Sequence, residues 1–121
     1  MAAHSSGPVA RLRVILGDAI AVGPGKADLL EGIRETGSIA AAGRRMGLSY
    51  KRAWLLIETM NACFKRPVIE AAKGGKAGGG ARLTPFGEQL LARYRSMQAA
   101  TEKVIASDLA WMKRAMRKRR R

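Results

Sequence analysis

Ser49-Tyr50-Lys51-Arg52 sets a hydroxyl, a phenol, an ammonium and a guanidinium on four consecutive residues. These groups donate hydrogen bonds to phosphate oxygens and base edges, so their chemistry is recognition of a polyanion rather than bond making. A second cationic stretch follows at Lys73-Gly74-Gly75-Lys76-Ala77-Gly78-Gly79-Gly80, with Arg82 just beyond. Lys73, Lys76 and Arg82 can reach phosphates, while the glycines let backbone approach a ligand closely. The stretch lacks the Gly-Lys-Ser/Thr ending of a phosphate-binding P-loop.

Other chemistries are poorly supplied. The chain has one cysteine, Cys63, and one histidine, His4. No disulfide can form within the chain, and no cysteine/histidine zinc cluster can be assembled. The carboxylates are scattered over helix faces, and no nucleophile has a base at catalytic spacing. An enzyme is therefore not expected, and neither is a cofactor or a bound metal. His4 falls in a leader expected to be disordered. Cys63 reads as a small core residue, although Lys65 and Arg66 nearby could favour its thiolate.

The charge points the same way. Across 121 residues the formal net charge is +14. The stretch 113–121 contributes seven basic residues, yet the remainder still carries 16 basic against 9 acidic ones. A body this basic favours a polyanionic partner, with nucleic acid ahead of an anionic membrane surface. Hydrophobic residues are 47% and aromatic ones 5%, so a real core is expected, built from aliphatic side chains. No apolar run approaches membrane-spanning length, and residues 1–8 lack the pattern of a signal peptide. A cytoplasmic, nucleoid-associated protein is expected.

The elements that must position these groups are legible in outline. Arg11 to Val22 reads as a strand pair turned at Gly17-Asp18. After Gly23-Pro24-Gly25, a first helix is expected over about Lys26 to Glu35, with Leu29, Leu30 and Ile33 as its apolar stripe. Ser38 caps a second helix, Ile39 to Met46, and Gly47 permits a tight turn. Ser49 caps a third helix, Tyr50 to Phe64, stopped by Pro67. Val68 to Ala71 and Ala81 to Leu83 read as two strands joined by the glycine-rich loop. Thr84 caps a long fourth helix with Pro85 at its first position, running to about Arg114.

Two helices about a glycine turn, then a strand, a basic loop, a strand and a long helix are the order of a winged helix-turn-helix. In such a unit the third helix presents its N-terminal side chains to the major groove. The expected fold class is mostly α with small β: an N-terminal β-hairpin, a β-hairpin wing and a long C-terminal dimerisation helix. The expected division is a leader at 1–8, the winged domain at 9–112 and a basic tail at 113–121, which could extend the last helix or contact phosphates. Trp54 reads as core, with a contact near DNA as the alternative. Leu55 and Leu56 adjoin on the third helix, so one must face outward, to meet a thymine methyl group or to pack on the wing. Trp111 reads as support for dimer packing or for the end of the last helix.

Between Arg11 and Met112 the sequence resembles the N-terminal DNA-binding domain of the ModE family, molybdate-responsive regulators with a LysR-like winged helix. The likeness rests on Gly37-Ser38-Ile39-Ala40-Ala41-Ala42, Ser49-Tyr50-Lys51-Arg52-Ala53-Trp54, Met60-Asn61, and the run from Gly74 to Thr84 leading to Gly87. The resemblance implies a homodimer formed through the first and last helices, bound to an inverted repeat in double-stranded DNA. It implies DNA contacts at Ser49, Tyr50, Lys51 and Arg52, with Lys73 and Lys76 from the wing. Ser38 and Arg82 join these as candidates from the residues themselves. Molybdate-sensing members continue into small β-rich oxyanion-binding domains, for which this length leaves no room. A stand-alone form is expected, with no molybdate bound by this chain. The competing expectations are a non-specific architectural DNA- or RNA-binding protein and a dimerisation partner for a longer regulator.

Overall fold

Gly23 and Pro24 do more than break a strand. In the computed structural model, Pro24 is the first residue of α1 (Pro24–Thr36). Its fixed φ suits a first helical position, where no N–H is needed. The helix thus starts two residues before the expected Lys26. It ends at Gly37, whose φ of 71° returns its N–H to the Ile33 carbonyl. The structure describes residues 10–72 and 80–118, with backbone alone at 19–21. The expected leader, the loop lysines Lys73 and Lys76, and the last three residues of the tail lie outside the described residues.

The other elements follow their local signals. β1 (Val14–Leu16) and β2 (Ala19–Val22) pair antiparallel about Gly17-Asp18, with a register shift between Val14 and Ile15. α2 (Ile39–Arg45) and α3 (Tyr50–Cys63) each begin at a serine cap. β3 (Ile69–Ala72) and β4 (Gly80–Leu83) form a second antiparallel pair, registered Ile69 to Leu83 through Ala72 to Gly80. α4 (Pro85–Ala115) starts at Thr84, whose Oγ1 accepts from the Gly87 N–H at 2.9 Å. The chain is therefore mostly α with small β. Val68, expected in β3, instead sits fully buried just before it.

The core forms where α1, α3 and the first third of α4 meet. Leu29, Leu30 and Ile33 face Ile57, Met60, Val68, Leu91 and Tyr94, all essentially without solvent exposure. Fully burying one such aliphatic side chain is worth about 1.5–3 kcal/mol. The Tyr94 hydroxyl donates to the Leu12 carbonyl at 2.7 Å, which pins the N-terminal segment to α4. Burial pushes this phenol above its ordinary pKa, so it remains a neutral donor. Arg95 reaches from α4 to Asp28 at 2.9 Å and Glu31 at 2.8 Å on α1. Beyond it, α4 has no buried residue.

Candidate nucleic-acid interface

The placement of α3 is decided at its back. A Cβ on Gly43 of α2 would lie 3.3 Å from the Ala53 Cβ, so the two helices meet with only small residues between them. The Gly43 carbonyl accepts from the N–H groups of Met46 at 3.0 Å and Leu48 at 2.8 Å, which closes the turn. Gly47 occupies the left-handed region with φ 72°, a conformation costly for residues with a Cβ. On the other side of α2, a Cβ on Gly32 would sit 3.0 Å from the Ala42 Cβ. Three helices are thereby stacked at close range, and α3 can bury only one face.

That buried face is Ala53, Ile57 and Met60. Helical periodicity puts Lys51, Leu55, Glu58 and Ala62 along the opposite line, and all four are exposed. Tyr50 is 59% exposed and Arg52 is also exposed. Arg44, Lys51 and Arg52 enter none of the ion pairs among the described residues. The first turn of α3 contains no acid, so its exposed N–H groups and two cations add up to positive potential. Arg45, by contrast, is engaged with Glu35 of α1, and this contact holds the Glu35 carboxyl below its ordinary pKa.

The expected site residues among the described residues divide into three groups. Tyr50, Lys51 and Arg52 come together on one exposed surface. Ser38 and Ser49 serve the backbone: Ser38 Oγ accepts from the Ala41 N–H and Ser49 Oγ accepts from the Arg52 N–H, each at 3.0 Å. The Ser49 oxygen is thus committed to the cap the sequence predicts, and only its proton remains to donate. Arg82 is paired across the β3–β4 ladder with Glu70, Nε to Oε2 at 3.0 Å, yet its side chain stays largely exposed. A solvent-exposed pair of this kind is worth about 0–1 kcal/mol, so Arg82 can exchange Glu70 for a phosphate at small cost.

Sequence reasoning misplaced one residue here and left another undecided. Trp54, read as core, is 37% exposed at the edge of α3, in an edge-to-face contact with Tyr50 at 6.3 Å between ring centres. The inner face of α3 is already filled by Ala53 and Ile57, which leaves the wide indole straddling the boundary. Of the adjacent leucines, Leu56 packs on the core and Leu55 points out at 52% exposure. The signal was available, since Leu55 lies one turn after Lys51 and Leu56 one residue before the buried Ile57.

The β3–β4 pair, which carries Arg82, lies beside α3. β4 is fixed to the end of α1 by the Ala81 N–H, which donates to the Gly37 carbonyl at 3.0 Å. At its far end, the Thr84 N–H donates to the Val68 carbonyl at 3.0 Å, and Thr84 Oγ1 donates to Pro67 at 2.7 Å. Asn61 of α3 accepts from the Val68 N–H at 2.8 Å. The β3–β4 pair is therefore tied to the same helix that carries Tyr50 to Arg52.

Comparison with known proteins bears on this surface. No protein-family model matches the chain. It is 50% identical over 86 residues to the molybdenum-pterin-binding protein MopB of Rhodobacter capsulatus, covering 71% of this chain and 32% of that protein. It is 40% identical over 84 residues to the molybdenum transport protein ModE of Herbaspirillum seropedicae, covering 69% of this chain and 31% of that one. It is 38% identical over 82 residues to the DNA-binding transcriptional dual regulator ModE of Escherichia coli K12, covering 68% and 31%. The chain is similar to one part of Mop and ModE proteins. It spans about a third of the length of the curated relatives it matches. Their names describe molybdenum-pterin binding, molybdenum transport and transcription regulation. Among the described residues, no helix is long and apolar enough to cross a membrane.

Proposed function

We propose that the chain is a sequence-specific transcriptional regulator that binds double-stranded DNA as a homodimer through a winged helix-turn-helix. α2 and α3 form the helix-turn-helix, α3 enters the major groove, and β3–β4 with its basic loop is the wing along the phosphates. The observation that carries this is the outward face of α3, where Lys51 and Arg52 stand exposed, outside every ion pair among the described residues, beside Tyr50 at a capped helix start. Similarity to a DNA-binding regulator over about two thirds of the chain supports the same reading. What the relatives' names say of molybdenum stays with those proteins.

Homodimerisation is supported by α4. Its buried residues Leu91 and Tyr94 lie on a helical line that continues through Thr101, Ile105, Leu109 and Met112, past the last contact with the core. Met112, at the end of this line, is 57% exposed, and Val104 and Trp111, more than a quarter turn away round the helix, are 80% and 64% exposed. A second α4 laid along this line, with α1 beside it, would cover it and set two α3 helices to read an inverted repeat.

The test is a titration of the wild type and Lys51→Ala against a preferred duplex and a scrambled one. The substitution is expected to weaken binding to the preferred duplex and shrink the gap between the two. Full discrimination in Lys51→Ala would show that α3 is not the reading helix. The basic stretch at 113–121 favours a second reading, a non-specific architectural DNA- or RNA-binding protein. That reading predicts loss of most binding on removal of the tail and equal displacement by any competitor sequence.

A further inference from the structure

The outward line of α3 carries a residue that charge alone does not explain. Leu55 sits between Lys51 and Glu58, opposite the buried Ala53, Ile57 and Met60, and more than half of it faces solvent. The core does not need it, because Leu56 supplies the neighbouring apolar contact. Leu55 is also not isolated. Together with Tyr50 and Trp54 it borders an open concavity of about 550 Å³, completed by Ser49, Lys51, Arg52 and Glu58. The Tyr50 and Trp54 rings meet edge to face at 81° and give the concavity an aromatic wall. The result is an apolar notch set within a cationic surface.

Charge complementarity decides the occupant. Lys51 and Arg52 line the concavity against the single carboxylate of Glu58, which favours a polyanion over an apolar peptide. On the duplex floor of a major groove, the apolar group offered by the bases is the thymine C5 methyl. We infer that Leu55 is a specificity-determining residue, whose isobutyl group receives the C5 methyl of one thymine in each half-site, one helical turn along from Lys51. Tyr50 and Trp54 act as positioning residues that keep water out of the contact. This inference rests on the proposal that α3 reads duplex DNA.

The experiment uses the full chain and a duplex enriched from a random pool, with each thymine in turn replaced by deoxyuridine. That change removes the methyl group and leaves every hydrogen-bonding atom in place. In anisotropy titrations the wild type is expected to lose about four-fold in affinity at one thymine per half-site. Leu55→Ala is expected to bind the thymine and uracil duplexes equally, and Leu55→Val to keep part of the difference. Leu55 is exposed, so both variants should fold, and circular dichroism checks this. A uracil penalty that survives in Leu55→Ala would assign the methyl contact elsewhere and overturn the inference. A flat uracil scan with sequence selection intact would overturn it while leaving the DNA-reading proposal standing. Failure to enrich any sequence would overturn both.

Discussion

A methyl group at Gly87 would lie 2.2 Å from the Val68 carbonyl oxygen, which is itself engaged by the Thr84 N–H. The neighbour is backbone, so it cannot swing aside as a flexible side chain would. Gly87→Ala is expected to destabilise the fold by about 1–3 kcal/mol, measured by urea unfolding, because α4 must move off the end of β3. Unchanged stability would mean that this junction is looser than its geometry states. Tyr94→Phe removes one partly buried hydrogen bond to the Leu12 carbonyl. A loss of about 0.5–1.5 kcal/mol is expected, together with faster amide exchange in β1 and β2. At the site, Lys51 and Arg52 differ from Arg82 in one respect: the first two enter no described ion pair, whereas Arg82 must give up Glu70. Arg82→Ala should therefore reduce affinity modestly and equally for all sequences, as a phosphate contact does.

At the scale of elements, the caps carry much of the local order. Ser49→Ala removes the oxygen that accepts from the Arg52 N–H, at a cost of about 1 kcal/mol in stability. It should also loosen the first turn that displays Tyr50, Lys51 and Arg52, so affinity is expected to fall more than for Ser38→Ala. Equal effects of the two would mean that the α3 cap has no role beyond stability. The caps were legible in the sequence because each signal spans three or four residues: Ser38 to Ala41, Ser49 to Arg52, Thr84-Pro85 to Gly87. Both strand pairs and the long α4 were legible for the same local reason. The start of α1 was misjudged because Gly-Pro-Gly signals both a break and a helix start. What stayed hidden depends on distant partners: Asn61 accepting from Val68, Arg95 bridging to Asp28 and Glu31, and the Glu70–Arg82 pair. The exposed position of Trp54 was hidden as well, since a large aromatic ring in a helix reads as core until the core is seen to be full.

For the whole molecule, charge and assembly set the behaviour. A net charge of +14 carried by body and tail together predicts steep salt dependence. With roughly 6–10 phosphate contacts, affinity should fall about 10³–10⁵-fold between 50 and 200 mM salt. A nearly flat titration would rule out phosphate contacts as the source of affinity. The projecting part of α4 predicts a dimer: Ile105→Asp is expected to halve the mass seen by analytical ultracentrifugation while leaving the fold around Leu91 and Tyr94 intact. An unchanged mass would place the partner surface elsewhere. The central claim, a dimer that reads sequence through α3, is tested most directly by selection from random duplexes at near-physiological salt, followed by sequencing. Such a dimer should enrich an inverted repeat with equivalent half-sites. Retention of DNA without any enriched sequence would contradict it and move the function from α3 to the basic tail.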